Sequence, residues 1–374
     1  MTGWLLPVAA GLVRGEVAEA VISPPYDLLS PAERAAHART HRRSFLNGSP
    51  SEGDDPSLDR EARRRMATEY LERELAADTW QFKGRQLFVL KIDGHGHSQT
   101  GVVGDSPATA FPGDIRPHEL TRPERVDDLA SYLTEVRYFS SPVGLTYRRK
   151  NEIDEVVAAI TAGAPELDVT LSDGDRERVW RIGDPETIAR LQSSFEGTSA
   201  YIIDGHHRVA ATIQRGADPA SPAGRFLSVA FPHDQLVIYP FHRWLNSSMD
   251  FDGSGDQLEP RPGRAVVVRR EGESELDLAT LPGETDVGAL ARTVLGPRFG
   301  IEDERTDPRV VFVPGFPDAA GLRARVAQEG GVGFLLAPCS IEEMLQVADE
   351  NGVMPPKATY FAPKPRSGTF LVKR

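Results

Sequence analysis

The chain has 374 residues, of which 40% are apolar and 26% are charged, and its formal net charge is −12. This length exceeds what a single hydrophobic core ordinarily supports, so we expect two or three compact units. The negative charge disfavours nucleic acid as a partner, the short apolar runs disfavour a membrane, and the single Cys339 excludes an intramolecular disulfide, which favours a cytoplasmic location.

Two stretches rich in Gly, Ser, Pro and Asp are typical of linkers or mobile loops, and they begin at Asn47 and Asn246. We divide the chain accordingly into an N-terminal α/β region over 1–110, a core over 111–247 and a C-terminal α/β region over 258–374.

The N-terminal region contains signals for helices and strands. Ser30 and Glu33 form a capping box with a proline between them, which predicts a helix start. The spacing of apolar residues in DREARRRMATEYLEREL predicts a second helix. The segments RQLFVLKI and HSQTGVVGD, on either side of the turn DGHG, are predicted strands.

The core region alternates between the two kinds of element. Thr121 and Glu124 suggest a second capping box, and Asp184 followed by proline predicts another helix start. A further helix is predicted for NEIDEVVAAIT. The predicted strands are SPVGLTYR, RERVWRI, YII, RFLSVAF and QLVIYPF.

The C-terminal region continues the alternation. RVVFVPG and GVGFLLAP are predicted strands, one helix is predicted from Asp318, and another is predicted from the capping box of Ser340 and Glu343. Because helices and strands alternate throughout, the expected fold class is mixed α/β.

The stretch AYIIDGHHRVAAT places polar residues between a predicted strand and a predicted helix. Gly205 permits a tight turn there. The following His206, His207 and Arg208 therefore lie near a helix N-terminus, where unpaired N–H groups, the helix dipole and an arginine attract phosphate. Two alternatives remain: a metal site that uses the histidines, and a polar turn that satisfies only its own backbone.

A second candidate is the pair His118 and Glu119, immediately before the helix predicted from Thr121. A carboxylate beside a helix start and several arginines stays ionised, which suits a general base or a magnesium ligand. A surface acid that only caps the helix is the alternative.

The third candidate is the C-terminal tail, in which cations alternate with hydroxyl groups and prolines. Lysine and arginine with hydroxyls suit recognition of a phosphate or a carboxylate, and the prolines stiffen the backbone that presents them. A solvated basic tail is the alternative. The residues concerned are Lys357, Thr359, Lys364 and Arg366.

Motifs along nearly the whole chain resemble the family known as domain of unknown function 1015. They are SPPYD, SFL, HELTRP, GLTYR, VWRI, IDGHHR and MPPKATYFAPKPRSG. The family is similar in turn to the ParB and sulfiredoxin-like fold, so the resemblance implies a nucleotide-binding core of that type with N-terminal and C-terminal α/β additions. Within that group, the free-serine kinases have a histidine-glutamate pair and a DGHHR turn like those of this chain.

The resemblance implies a role for each candidate residue. The implied catalytic residues are Glu119, His118 and Asp204. Glu119 would be the base that accepts the proton of the serine hydroxyl, and Asp204 would bind Mg²⁺. The residues implied to hold the phosphates are Asp204, Gly205, His206, His207 and Arg208. Those expected to bind the substrate carboxylate or a phosphate are Lys357, Thr359, Lys364 and Arg366.

The leading hypothesis is a Mg²⁺-dependent kinase that transfers the terminal phosphate of ATP or ADP to a small hydroxylated amino acid, with L-serine giving O-phospho-L-serine. The expected partners are a nucleotide and that amino acid, with no nucleic acid and no membrane, and a second copy of the chain is a further candidate. One rival is a non-catalytic or slowly hydrolysing nucleotide-binding regulatory module of the ParB-like type. Another is a metal hydrolase that uses the two histidines.

Overall fold

The computed structural model describes residues 3–50, 54–218, 220–247, 257–281 and 283–374. The two predicted linkers include 51–53 and 248–256, which lie outside the described residues. The chain divides into two compact units. The first, unit 1, comprises Met1–Pro117, Thr121–Gln235 and Pro363–Arg374, and the second, unit 2, comprises His118–Leu120 and Leu236–Ala362. The division into three regions made from the sequence stays a prediction.

The helices and strands are numbered here in chain order. The α-helices are α1 (Ala18–Val21), α2 (Pro31–Thr40), α3 (Arg60–Ala76), α4 (Pro123–Glu135), α5 (Asn151–Thr161), α6 (Pro185–Phe195), α7 (His206–Gln214), α8 (Asp286–Leu290), α9 (Gly296–Phe299), α10 (Ala320–Glu329) and α11 (Ile341–Asp349). The strands are β1 (Ala10–Val13), β2 (Trp80–Phe82), β3 (Leu87–Gly94), β4 (His97–Pro107), β5 (Ile115–Arg116), β6 (Tyr138–Phe139), β7 (Val143–Tyr147), β8 (Leu167–Thr170), β9 (Arg176–Ile182), β10 (Ala200–Asp204), β11 (Arg225–Pro232), β12 (Ile238–Tyr239), β13 (Phe241–Leu245), β14 (Arg264–Arg269), β15 (Gly272–Asp277), β16 (Val310–Pro314), β17 (Val332–Leu335), β18 (Tyr360–Phe361) and β19 (Phe370–Lys373).

Unit 1 is built on an eight-stranded sheet with the order β5-β10-β7-β11-β4-β3-β9-β8. β10 is parallel to β5, and β11 is parallel to β7, whereas the other pairs are antiparallel. The apolar run of β10 packs into the main core together with residues of α5, α6 and α7. A smaller sheet, β2-β1-β19-β6, brings the end of the chain beside its beginning. The last part of the C-terminal tail, Pro363–Arg374, thereby belongs to this unit.

Unit 2 contains a five-stranded sheet with the order β15-β14-β17-β13-β16 and the short pair β12-β18. Alternate residues of a strand face opposite sides of a sheet. Trp244 of β13 therefore joins Val266, Leu322 and Val326 in a core on the side that α10 covers. Pro240 separates β12 from β13, so the predicted strand QLVIYPF contains all of β12 and the first residue of β13.

Most local predictions are confirmed. Both capping boxes, at Ser30 and at Ser340, have reciprocal hydrogen bonds, and Asp184 caps α6 through the N–H of Thr187. The mixed α/β class is confirmed by sheets that contain both parallel and antiparallel pairs. Within the described residues, no helix combines the length and apolar character needed to cross a bilayer.

The predicted capping box at Thr121 is wrong. α4 begins at Pro123 with Arg122 as its N-cap, and Arg122 makes no side-chain capping bond. Proline at the first helical position fixes where the helix starts. Thr121 is thus one residue too early to be the cap.

Candidate functional site

The turn after β10 is shaped by its backbone. The pairing of β10 with β7 has a register shift between Ile202 and Asp204, and such a bulge changes the direction of the side chains that follow it. Gly205 then has φ of +99°, in the left-handed region that glycine adopts without strain. α7 starts directly afterwards at His206. Asp204 is thereby placed beside the N-terminus of α7.

Asp204 lies between two cations, all within unit 1. The Nζ atom of Lys364 is 3.0 Å from Oδ1 of Asp204, and an Nη atom of Arg208 donates to Oδ2. Arg208 also donates to the carbonyl oxygens of Ser141 and Pro142, at 3.0 Å for Ser141. Arg208 therefore ties the turn to the residues before β7. The Asp204 side chain stays 31% exposed, so water or a ligand can reach this cluster.

The position of Lys364 depends on neighbouring residues of the tail. The side chain of Gln99 donates to the carbonyl oxygen of Pro363 at 2.9 Å. Arg366 reaches in the other direction and donates to the carboxylates of Asp173, at 2.8 Å, and Asp175. The tail is therefore held on both sides of Lys364, which limits the positions that its ammonium group can take.

Arg366 belongs to an internal ion cluster. Its side chain is 2% exposed and contacts two carboxylates, and its N–H donates to Glu177. Burial raises the pKa of the Glu177 carboxyl, an effect that the hydrogen bond from Thr369 opposes. The role of Arg366 in binding a substrate stays a prediction, and in this arrangement its guanidinium is engaged by Asp173 and Asp175.

The two adjacent histidines lie in different environments. His206 is buried, with 7% exposure. Nε2 of His207 accepts a hydrogen bond of 3.0 Å from the N–H of Arg122, the residue that caps α4. His207 therefore accepts from the N–H of the N-cap residue, which is the role that the predicted capping box gave to Glu124. Because Nε2 is an acceptor, the hydrogen of the neutral ring lies on Nδ1.

His118 and Glu119 belong to unit 2, as do Lys357 and Thr359. His118 is 2% exposed, and its Nε2 is 3.2 Å from Oγ1 of Thr359. The Glu119 side chain is partly exposed. Lys357 has φ of +52°, and its Nζ lies 4.8 Å from the ring centre of Phe241. The pairing of His118 with Thr359 thus brings together two predicted site residues far apart in sequence.

Asp204 is the predicted magnesium ligand. Both of its carboxylate oxygens already bind cations, and the described residues contain no group of three or more His, Cys, Asp or Glu side chains placed to hold a metal. Hard cations such as Mg²⁺ need several oxygen ligands, and the adjacent Lys364 and Arg208 would repel a divalent ion. This donor set does not fit a Mg²⁺ ion held by the protein itself, and the metal assignment stays a prediction.

The contact between Lys364 and Asp204 was missed by the sequence analysis, which grouped Lys364 with the substrate-binding residues. The two are 160 residues apart. One sequence signal points to such a contact: the tail is rich in cations, whereas the chain as a whole is acidic and the turn contains Asp204. The sequence does not indicate which cation of the tail reaches Asp204.

Several solved structures are similar to this chain at low identity. A free serine kinase mutant in complex with AMP has a TM-score of 0.42 at 13% identity, with 73% of this chain and 91% of that one covered. The C-terminally truncated SbnI from Staphylococcus aureus has a TM-score of 0.40 at 12% identity, over 71% and 85% of the two chains. A conserved hypothetical protein from Pyrococcus furiosus has a TM-score of 0.37 at 14% identity, over 72% and 95%.

These structural likenesses are too distant to assign a function, and no functionally curated protein matches the sequence. The sequence profile of one family, described as "Protein of unknown function (DUF1015)", matches residues 5–259. That range includes β10, α7 and the turn that joins them, and it covers more than half of the chain. The chain belongs to the DUF1015 family.

Proposed function

We propose that this protein is a phosphotransferase that moves the terminal phosphate of ATP or ADP to the hydroxyl group of a free amino acid, with L-serine as the first acceptor. The observation that carries the proposal is the cluster of Asp204, Arg208 and Lys364 at the N-terminus of α7. The motif resemblance to free-serine kinases, in DGHHR and in the His118-Glu119 pair, directs the choice of acceptor.

The residues proposed to bind phosphate are those of the turn in unit 1. The first N–H groups of a helix point beyond its end and carry a partial positive charge, which suits an anion. Lys364 adds a full positive charge at the same turn. In this proposal a phosphate oxygen takes the place of Asp204 as the partner of Lys364. Arg208 keeps the turn anchored on the carbonyl oxygens of Ser141 and Pro142.

The proposed base is Glu119. As the serine oxygen forms a bond to the terminal phosphorus, the bond between that phosphorus and the bridging oxygen breaks, and the hydroxyl proton passes to a carboxylate oxygen of Glu119. ADP leaves when ATP is the donor, and AMP leaves when ADP is the donor. His118, buried and paired with Thr359, supports the backbone next to Glu119.

Product analysis tests the proposal. The purified protein is incubated with ATP or ADP, MgCl₂ and L-serine, and phosphoserine is measured by mass spectrometry beside L-threonine, L-homoserine and D-serine. Phosphorylated product from at least one acceptor is expected. Absence of product with both donors and all acceptors would overturn it. If the nucleotide still binds but serine does not change its affinity, the regulatory-module hypothesis gains support instead.

A variant of the proposed base gives a sharper test. Glu119→Gln should lower kcat by about 100-fold or more, because general bases typically contribute 10²–10⁴ in rate. Nucleotide affinity should stay unchanged, since Glu119 acts on the acceptor. Glu124→Gln is the matched control, because Glu124 is an exposed acid in the first turn of α4. Equal activity of the two variants would show that Glu119 is not the base.

A further inference from the structure

A second feature that could bind a ligand lies wholly within unit 2. His242 and Arg243 are neighbours on β13, so their side chains face opposite sides of the five-stranded sheet. Arg243 is buried against Glu304. His242 lies on the same side as Trp244, which packs against Leu322 of α10. His242 is therefore a polar group on the face that α10 partly covers.

The protonation of His242 follows from its contacts. Its Nδ1 accepts a hydrogen bond of 3.2 Å from the N–H of Leu336, so the hydrogen of the neutral ring lies on Nε2. Burial and the nearby charges of Arg243 and Arg323 lower the pKa of His242 to about 4. The ring is thus neutral near pH 7. Within the described part of the chain, Nε2 has no hydrogen-bond partner, although His242 is only 2% exposed.

His242 lines a cavity of about 560 Å³ between β13 and the start of α10. This volume lies within the range of roughly 300–1,000 Å³ that small-molecule sites occupy. Gly315 keeps the approach to the ring open, because a Cβ atom at this position would lie 2.8 Å from Nε2. A buried N–H donor that faces a cavity of this size is the kind of group that fixes the orientation of a ligand.

The charges around the cavity narrow the class of ligand. The acids Asp318 and Glu259 line it, and so does Arg323, which pairs with Glu273 at 2.8 Å and with Glu259 at 3.5 Å. The acids therefore outweigh the cations, which disfavours a phosphate or another plain anion. At the same time, His242 and the first turn of α10 offer N–H donors to an acceptor oxygen. A ligand with both an acceptor oxygen and a positive charge satisfies both sets of groups.

We infer that this cavity binds a free α-amino acid. The carboxylate accepts from Nε2–H of His242 and from the first turn of α10, and the ammonium group lies beside Asp318 and Glu259. The side chain of the bound amino acid would contact the apolar lining residues Pro240, Leu336 and Pro338. This inference does not rest on the proposed kinase activity, because binding is measured without nucleotide and without turnover.

Calorimetry with the full-length protein tests the inference. Each of the twenty L-amino acids is titrated alone, and at least one is expected to bind with a Kd below about 1 mM. For that amino acid, the 2-hydroxy acid that replaces its ammonium group and the amine that lacks its carboxylate should each bind at least about tenfold more weakly. No binding by any of the twenty, or equal binding of the 2-hydroxy acid, would overturn the inference.

Two variants locate the site. Gly315→Ala places a methyl group against Nε2 and should abolish binding. If that variant fails to fold, Asp318→Asn remains informative, since the amide oxygen can keep the 2.7 Å cap on the Ala320 N–H while the charge is lost. Its affinity should fall about tenfold. Glu302→Gln, an exposed acid of the same unit, is the matched control and should leave the affinity unchanged.

Nitrogen-15 NMR of the histidine rings reports directly on Nε2–H of His242, the proposed donor to the carboxylate. Binding should shift the Nε2 resonance of His242 and change its Nδ1 resonance much less, because only Nε2 faces the cavity. Unchanged affinity in the Asp318→Asn variant together with an unmoved Nε2 resonance would place the amino acid elsewhere and overturn the assignment.

Discussion

In each compact unit an ion pair contains or contacts a residue of the C-terminal tail, and the two pairs differ in their access to water. In unit 1 the side chains of Lys364 and Asp204 are 14% and 31% exposed. In unit 2 those of Arg243 and Glu304 are 0% and 5% exposed, and Arg243 also donates to the carbonyl oxygen of Pro356 at 2.8 Å. Solvent therefore reaches the pair in unit 1, whereas the pair in unit 2 is closed to it, and we expect substitutions in the two pairs to have different effects.

The largest expected effect is on the stability of unit 2. Arg243→Met leaves Glu304 buried without its partner and the Pro356 carbonyl oxygen without a donor, so the free energy of unfolding should fall by about 3–5 kcal/mol. Urea denaturation measures it. Arg305→Met is the matched control, since Arg305 pairs with Asp303 on the surface, and it should unfold like the wild type.

The double variant Arg243→Met/Glu304→Leu should recover much of the loss, because it removes both charges together. If the single variant is as stable as the wild type, the buried pair does not hold the tail, and the comparison between the two units fails.

The burial of His242 in unit 2 should make the stability of the protein depend on pH. The pKa of His242 is about 4 in the folded protein and 6.5 in the unfolded chain. Between these values the unfolded chain binds the extra proton, so stability is complete above about pH 6.5 and declines as the pH falls towards 4. The difference corresponds to about 3 kcal/mol. Urea denaturation from pH 7.5 to pH 4.5 measures the decline.

His242→Gln is the reference for that experiment, because it has no group that titrates at this position. The wild type should lose stability on acidification more steeply than the variant, and the difference between the two curves isolates His242 from the other titrating groups. Parallel curves would mean that His242 binds protons equally in the folded and unfolded states, so that its pKa is not lowered by burial in the fold.

The partly exposed pair in unit 1, Lys364 and Asp204, should affect ligand binding more than stability. Lys364→Met removes the positive charge beside the N-terminus of α7, and the affinity for ADP should fall about tenfold, which is 1.4 kcal/mol. Lys373→Met is the matched control, because Lys373 is an exposed lysine of the same unit and its loss changes the net charge equally. Calorimetry that found equal affinities for both variants would remove Lys364 from the phosphate site.

Predictions from the sequence succeeded where the cause is local. The capping boxes at Ser30 and Ser340 depend on residues three positions apart, and both form. Thr121 has the same pattern and is not a cap, because Pro123 moves the start of α4 and His207, 85 residues away from Arg122, contacts the helix start instead. A local pattern carries no information about such a distant contact.

In the candidate site, too, local features were predicted and distant contacts were not. The turn around Gly205 was predicted because strand, glycine and helix signals are adjacent in the sequence. The contact of Asp204 with Lys364 requires the tail to return to the sheet, and that depends on the packing of β19 between β1 and β6. His242 was not singled out at all. Its signal, a His-Arg pair inside the apolar segment IYPFHRWL, marks buried polar groups without saying that a cavity faces one of them.

The smallest expected effect distinguishes two roles of Asp204. If its carboxylate only neutralises Lys364 until a phosphate arrives, Asp204→Asn frees the lysine, and the affinity for ADP should stay the same or rise up to about fivefold, as expected for a partly exposed pair worth 0.2–1 kcal/mol. If the carboxylate binds Mg²⁺ instead, the same variant should lose affinity when MgCl₂ is present and not when EDTA replaces it. Calorimetry under both conditions separates the two roles, because a counter-ion acts on the nucleotide with or without the metal, whereas a metal ligand acts only through it.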